Sequence, residues 1–267
     1  MNYLKKLAKA IIPEKHRPIL KRMYQSLFHL GNRVVCPFCR GHFREFLPAG
    51  VKERPNARCP WCGSFERHRL AWLYLRDRTN LLSDDLRLLH FAPEYCLQKA
   101  FRSIPNVEYF TVDLDSPLAN VRMDITNIPH EDNSFDAIYC SQVLEHILDD
   151  AKAMSELFRV LKFDGWAILQ VPIDLTRGET FEDRHVVSPK EREHLFGQWD
   201  HVRVYGRDYT DRLEKSGFAV RVDGYVRELG DDLVRKYGLD PTENIYFCTK
   251  SEQSKIDAGE VSLLRTV

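Results

Sequence analysis

The sequence predicts an α/β fold, a mostly parallel sheet covered on both faces by helices, with a small cysteine-rich module in front of it. Three observations carry this. From residue 86 onward, short apolar runs alternate with amphipathic stretches of helical period. Between residues 34 and 63 two Cys-x-x-Cys pairs sit in a segment rich in Pro, Gly and Arg that has little periodicity of its own. Charge also divides the chain: residues 1–70 hold 15 basic and 4 acidic side chains, and the remainder hold 24 and 35, so a net charge of zero conceals +11 in front and −11 behind.

Taken in order, residues 1–33 read as one or two short basic helices broken at Pro13, with Ile19, Leu20, Met23, Leu27 and Leu30 at roughly helical spacing. Residues 34–82 form the cysteine module and a linking helix, SFERHRLAWLYLRDRTNLL, with Ser64 as N-cap, Leu70 and Leu73 inward and Asp77 outward. Residues 83–250 supply the sheet. Its strands are expected at LRLLHF (86–91), VEYFTV (107–112), VRMDI (121–125), FDAIYC (135–140), WAILQV (166–171), FAVRVDGY (218–225) and NIYFCTK (244–250). Helices are expected from Tyr95 to Arg102, over DDAKAMSELFRVLK with Met154, Leu157, Phe158 and Leu161 on one face, and over RDYTDRLEKSG up to Gly217. Residues 251–267 show no pattern and are expected to be a loose tail. No apolar run approaches the ~18 residues of a membrane span. With paired and scattered cysteines and no secretory leader, a reducing cytoplasmic setting is expected.

Cys36-Pro-Phe-Cys39 and Cys59-Pro-Trp-Cys62 are 19 residues apart, the spacing of a structural zinc site. Two residues between cysteines let both thiolates of a tight turn face one ion, and two such turns close a tetrahedron with no open position. Gly41 and Gly63 are expected to let the backbone wrap the sulfurs. A pair of disulfides or a redox Cys-x-x-Cys is the competing reading.

The stretches LLHFAPE, YFTVDLD, VRMDITNIPHEDNSFDAIYCSQVLEHI and LFRVLKFDGWAILQVP resemble class I S-adenosylmethionine-dependent methyltransferases of the methyltransferase type 11 kind, over residues 86–175. The resemblance implies a seven-stranded Rossmann-like sheet with its last strand reversed and S-adenosylmethionine across the carboxyl ends of strands one to four. The general rule for open α/β sheets gives the same place. A nucleoside needs a carboxylate at the end of the second strand for its ribose; Asp113 lies about 20 residues past the first strand, with Asp115 as the fallback. Asp124 matches the family's adenine position, with Ile125 against the ring. The first loop, His90-Phe91-Ala92-Pro93-Glu94, departs from the family's glycine-rich turn. Ala92 is small enough for close approach, and Glu94 either meets the methionine ammonium or complements a helix N-terminus.

Past the fourth strand, Ser141 and Gln142 are expected beside the cofactor, with Glu145 and His146 following. A methyl acceptor that must lose a proton needs a base, for which His146, His185 and His201 are the candidates; Arg203 is placed to clamp an acceptor anion. The expected function is methyl transfer to a small molecule or glycan. The basic front end admits two other partners, RNA or an anionic membrane surface, and the altered first loop admits a non-catalytic scaffold stabilised by zinc.

Overall fold

The computed structural model describes residues 13, 16–50 and 53–250; the helix expected before Pro13 and the expected tail lie outside these. The chain divides into two compact units, Met1–Asn80 with Gly224–Glu243, and Leu81–Asp223 with Asn244–Val267. The boundary expected at 82/83 thus falls at 80/81, and a segment between the last two sheet strands joins the first unit.

In the first unit, α1 (Arg17–Phe28) leads into two small antiparallel ladders, β1 (Leu30–Val35) with β2 (His42–Phe43), and β3 (Leu47–Ala49) with β4 (Arg54–Arg58). Their side chains form a core of Val34, Phe43 and Phe46 around Cys36 and Cys59. Helix α2 (Glu66–Arg78) follows and buries Leu70, Leu73, Tyr74 and Leu75. Its N-cap is Phe65 rather than the expected Ser64, whose hydroxyl turns to the cysteines instead. Arg69 is fully buried and donates to the carbonyls of Ala57 (3.0 Å), Ser64 (2.7 Å), Tyr237 (2.7 Å) and Gly238 (2.6 Å), with its guanidinium 4.2 Å over Phe46. A buried cation is tolerated only when its donors are spent, so this residue fastens the second cysteine turn to the end of the helix Gly230–Tyr237.

The second unit is a seven-stranded sheet in the order β12-β13-β9-β8-β5-β6-β7. Its strands are β5 (Leu86–Phe91), β6 (Val107–Asp113), β7 (Val121–Arg122), β8 (Phe135–Ser141), β9 (Leu161–Gln170), β12 (Phe218–Asp223) and β13 (Ile245–Lys250). Strands β5 to β9 pair in parallel, and β13 runs antiparallel to both its neighbours, as expected. Near-continuous burial along β5, β8 and β9 is what a sheet covered on both faces requires. The third strand is shorter than VRMDI predicts. After Arg122 the chain turns so that Met123 and Ile125 point inward, and Asp124 accepts from the backbone and hydroxyl of Thr126.

Helix α3 (Tyr95–Phe101) follows β5, and α4 (Asp150–Val160) buries Ala153, Met154, Leu157 and Val160 at helical spacing. Helix α4 also fixes the loop after β7. Glu156 accepts from Ile128 N (2.9 Å), and Arg159 donates to Ile128 O (2.8 Å), His130 O (2.7 Å) and Glu156. Arg159 beside it holds the Glu156 carboxyl down at about 2. Between β9 and β12 lie β10 (Phe181–Glu182), α5 (Pro189–Phe196), β11 (Arg203–Val204) and α6 (Tyr209–Lys215), with β10 and β11 paired antiparallel. Among the described residues no helix is long and apolar enough to cross a membrane.

Candidate functional site

Strand order reverses between β6 and β8 on either side of β5, and a cavity of about 450 Å³ opens at the carboxyl ends of these three strands. Phe91, Val112, Met123 and Ile125 give it apolar walls; Asp113, Asp115, Gln142, His146 and Asp200 give it polar ones. Crevices at such a switch point are where open α/β sheets bind ligands.

Asp113 ends β6 and lines the cavity. Its Oδ1 accepts from the backbone N–H groups of Asp115 and Ser116, both at 2.8 Å. One oxygen therefore holds the turn, which presents the other for a ligand. Asp115 also lines the cavity but is almost fully solvated and pairs loosely with Arg122 at 3.6 Å. Ile125 is buried in the wall, whereas Asp124 is exposed, spends Oδ1 on Thr126 and lies outside the lining. Ser141 is buried at the end of β8 and its hydroxyl has no hydrogen-bond partner among the described residues.

Two lining residues without the freedom of glycine stand in the left-handed region, Ala92 (φ 49°) and Gln142 (φ 58°). Each follows directly on a strand end. Ala92 N still bonds Val112 O at 2.9 Å, and Gln142 N bonds Gln170 O at 2.8 Å. The sheet ladder thus continues up to the bend, and strain in this region clusters where a chain must make room for a ligand. The departure from a glycine-rich turn is met by an alanine that adopts the glycine conformation.

His90, fully buried on β5, bridges Tyr109 Oη (2.6 Å) and Glu94 Oε2 (3.0 Å) and stands edge-on to Phe101 and Tyr139. Glu94 is the N-cap residue of α3; its carboxylate is directed to His90, gives no side-chain cap bond and is not among the lining residues.

The other end of the cavity carries two histidines that the structure brings together. The rings of His146 and His201 meet edge to face at 4.7 Å. His146, in the 3₁₀ turn Leu144–His146, lines the cavity and has Nδ1 3.4 Å from Asp200 Oδ2. Burial and the neighbouring His146 push the His201 imidazole below its ordinary pKa, which favours its neutral form. Ligand atoms of Glu145, His146 and His201 all lie within 4.8 Å of one another. His185 is exposed on the loop after β10 and does not line the cavity. Arg203 differs from its expected role as a clamp on an acceptor anion. It is 2% exposed and donates to Glu182 (2.8 Å) and to the carbonyls of Leu144, Ile147 and Leu148, so it holds the turn that carries His146. Asp200 is the polar lining residue that sequence reasoning missed.

In the first unit the four cysteines converge from two matching turns. Cys36 N bonds Gly41 O, and Arg40 N bonds Cys36 O; Cys59 N bonds Ser64 O, and Gly63 N bonds Cys59 O. Arg40 (φ 56°) and Gly63 (φ 76°) occupy the same left-handed position in each turn. Gly41 lets the backbone wrap the sulfurs, as expected of it. A Cβ there would lie 3.3 Å from Cys39 Sγ and 2.7 Å from the Phe43 ring, so it permits close approach rather than a positive φ. Sulfurs of different turns approach closely, Cys36–Cys62 at 3.5 Å and Cys39–Cys59 at 3.6 Å, all four lie within 4.8 Å of one another, and none is in a disulfide. A tetrahedral ion with sulfur ligands at ~2.3 Å holds them ~3.8 Å apart, which this set fits; disulfides within each Cys-x-x-Cys do not account for the crossed pairing.

Residues 93–169 match the family described as Methyltransferase domain. No curated protein matches the chain. Among solved structures, an S-adenosylmethionine-dependent methyltransferase from Mesorhizobium loti is 16% identical, with 66% of this chain and 96% of the other covered at a TM-score of 0.46. One from Listeria monocytogenes, described as putative, is 17% identical over 70% and 97% at 0.42. The YcgJ protein of Bacillus subtilis is 20% identical over 69% and 95% at 0.41.

Proposed function

We propose that this chain, an S-adenosylmethionine-dependent methyltransferase by its matched domain, methylates a hydroxyl of a neutral small molecule or glycan, with His146 as proton acceptor. The observation that carries the acceptor class is the charge of the cavity. Asp113, Asp115 and Asp200 line it, and among the described residues no lysine or arginine does. Such a wall repels a phosphate backbone, and the volume lies in the range of small-ligand sites. Trp199, 60% exposed beside Asp200, offers an aromatic face to a sugar ring.

The donor's residues follow from the lining. Asp113 Oδ2 accepts from ribose hydroxyls, Met123 and Ile125 cover the adenine, and the Ala92 bend lets the methionyl end pass close to the backbone. When bound, S-adenosylmethionine supplies a methyl group already activated on a sulfonium, so holding an acceptor in line provides much of the rate. His146 then removes the acceptor's proton. Asp200 takes Nδ1–H through its carbonyl at 3.3 Å, with its carboxylate at 3.4 Å, which leaves Nε2 as the basic nitrogen, and His201 supports the ring edge to face. Cys36, Cys39, Cys59 and Cys62 hold a structural zinc whose binding supplies folding energy to the first unit.

The test is release of S-adenosylhomocysteine with neutral glycans and polyols set against RNA. Turnover with a neutral hydroxylated acceptor, lost in His146→Asn, is expected. Turnover with RNA alone contradicts the acceptor class.

A further inference from the structure

The helix α1 is amphipathic, but it is turned the wrong way for a helix of a soluble core. Plotted at ~100° per residue, Ile19, Leu20, Met23, Tyr24 and Leu27 fall within an arc of about 140°, and Arg17, Lys21, Arg22, Gln25 and Ser26 fill the opposite side. In a globular protein the apolar arc is the buried one. Here no residue of the helix is buried, and the half-covered positions are Arg17, Arg22, Gln25 and Ser26. The apolar side chains, with Phe28, are 41% to 64% exposed, and the Tyr24 and Phe28 rings touch at 4.2 Å on the open side.

Charge indicates what this face meets. Residues 1–33 contain eight Lys and Arg (Lys5, Lys6, Lys9, Lys15, Arg17, Lys21, Arg22 and Arg33) against the single acid Glu14. We infer that α1 lies in the interface of an anionic lipid bilayer, with its apolar arc among the acyl chains and its lysines and arginines at the headgroups. Helices that lie on membranes combine these properties: a wide apolar arc, basic flanks and low mean hydropathy. Lys21 borders the arc and can extend its stem along the apolar surface while its ammonium stays at the phosphates. A nucleic-acid partner accounts for the lysines and leaves the exposed Ile19, Met23 and Leu27 unexplained; a lipid surface accounts for both. One short helix with adjacent basic charge gives reversible, salt-sensitive attachment rather than permanent insertion.

Flotation of the full chain with phosphatidylcholine vesicles, with and without phosphatidylglycerol, tests this. The expected result is binding to the anionic vesicles at least ~10-fold stronger than to phosphatidylcholine alone, weakening as salt rises. The double variant Leu20→Glu with Leu27→Glu is expected to lose at least ~10-fold of that binding with no change in melting temperature, since both side chains are already solvated. Three outcomes overturn the inference. One is no flotation of the wild-type chain. Another is a dimer in light scattering that the double variant converts to monomer, which assigns the face to a second copy. The third is salt-sensitive RNA retention without flotation and unaffected by the double variant, which assigns the basic charge to nucleic acid.

Discussion

Replacing Asp113 with Asn separates the two tasks of its carboxylate. Oδ1 accepts from Asp115 N and Ser116 N, and an amide oxygen in its place keeps both bonds, so the turn after β6 and the stability of the protein stay as they are. Oδ2 becomes an NH₂ that cannot accept from a ribose hydroxyl. A hydrogen bond to a charged acceptor contributes about 1.5–3 kcal/mol, so the dissociation constant for S-adenosylhomocysteine should rise about 10- to 150-fold. Isothermal calorimetry measures this directly, and thermal unfolding of the ligand-free variant confirms that the turn survives. Asp115→Asn is the internal comparison. That side chain is solvated and outside the turn's bonds, so its loss should cost no more than about threefold. An Asp113→Asn protein that binds within about twofold of wild type refutes the assignment, and a larger loss in Asp115→Asn transfers it to Asp115.

The other predictions address separate parts. His146→Asn should lower kcat by about 10²- to 10⁴-fold and leave cofactor affinity unchanged; initial-rate kinetics reads the first and calorimetry the second. At Ala92, a valine combines a β-branch with a positive φ and a narrower cavity, so Ala92→Val should abolish cofactor binding in calorimetry while Ala92→Gly retains it. Elemental analysis should find about one zinc per chain, lost in Cys59→Ser; about two per chain, with the second lost in His201→Ala, would make the histidine pair a metal site and remove His146 as base. Burial and nearby Asp240 push the Glu243 carboxyl up to about 7, above its unfolded value. The folded state then binds the extra proton, so stability drawn from this group is present below the unfolded pKa and lost as pH rises toward 7 and past it. Glu243→Gln should therefore raise the melting temperature relative to wild type more at pH 8 than at pH 6.

Much of the sheet was legible because its signal is local. Short, largely apolar runs such as LRLLHF and FDAIYC, alternating with stretches of helical period, read as strands buried on both faces, and β5 and β8 form there. The cysteine spacing was legible for the same reason: each turn closes within five residues. What escaped depends on distant partners. The segment Gly224–Glu243 joins the first unit through carbonyls that Arg69 reaches across 168 and 169 positions, and its own helix Gly230–Tyr237 buries nothing that periodicity could flag. Arg203 reads as a clamp for an acceptor anion, yet it is enclosed because four acceptors from the turn after β8 and from β10 converge on it. Asp200 reaches the cavity from a loop with no period at all, and its pairing with His146 spans 54 positions. Ser64 reads as an N-cap by composition, but the sulfurs 3.3 Å away claim its hydroxyl.

Thermal unfolding of zinc-loaded protein titrated with S-adenosylmethionine tests the central claim most directly. At about 100 times the dissociation constant the ligand should add ~2.7 kcal/mol to the sheet unit, with one equivalent bound and the effect absent in Ala92→Val. An unfolding curve that does not move at any ligand concentration would mean that the crevice at the ends of β5, β6 and β8 takes no methyl donor.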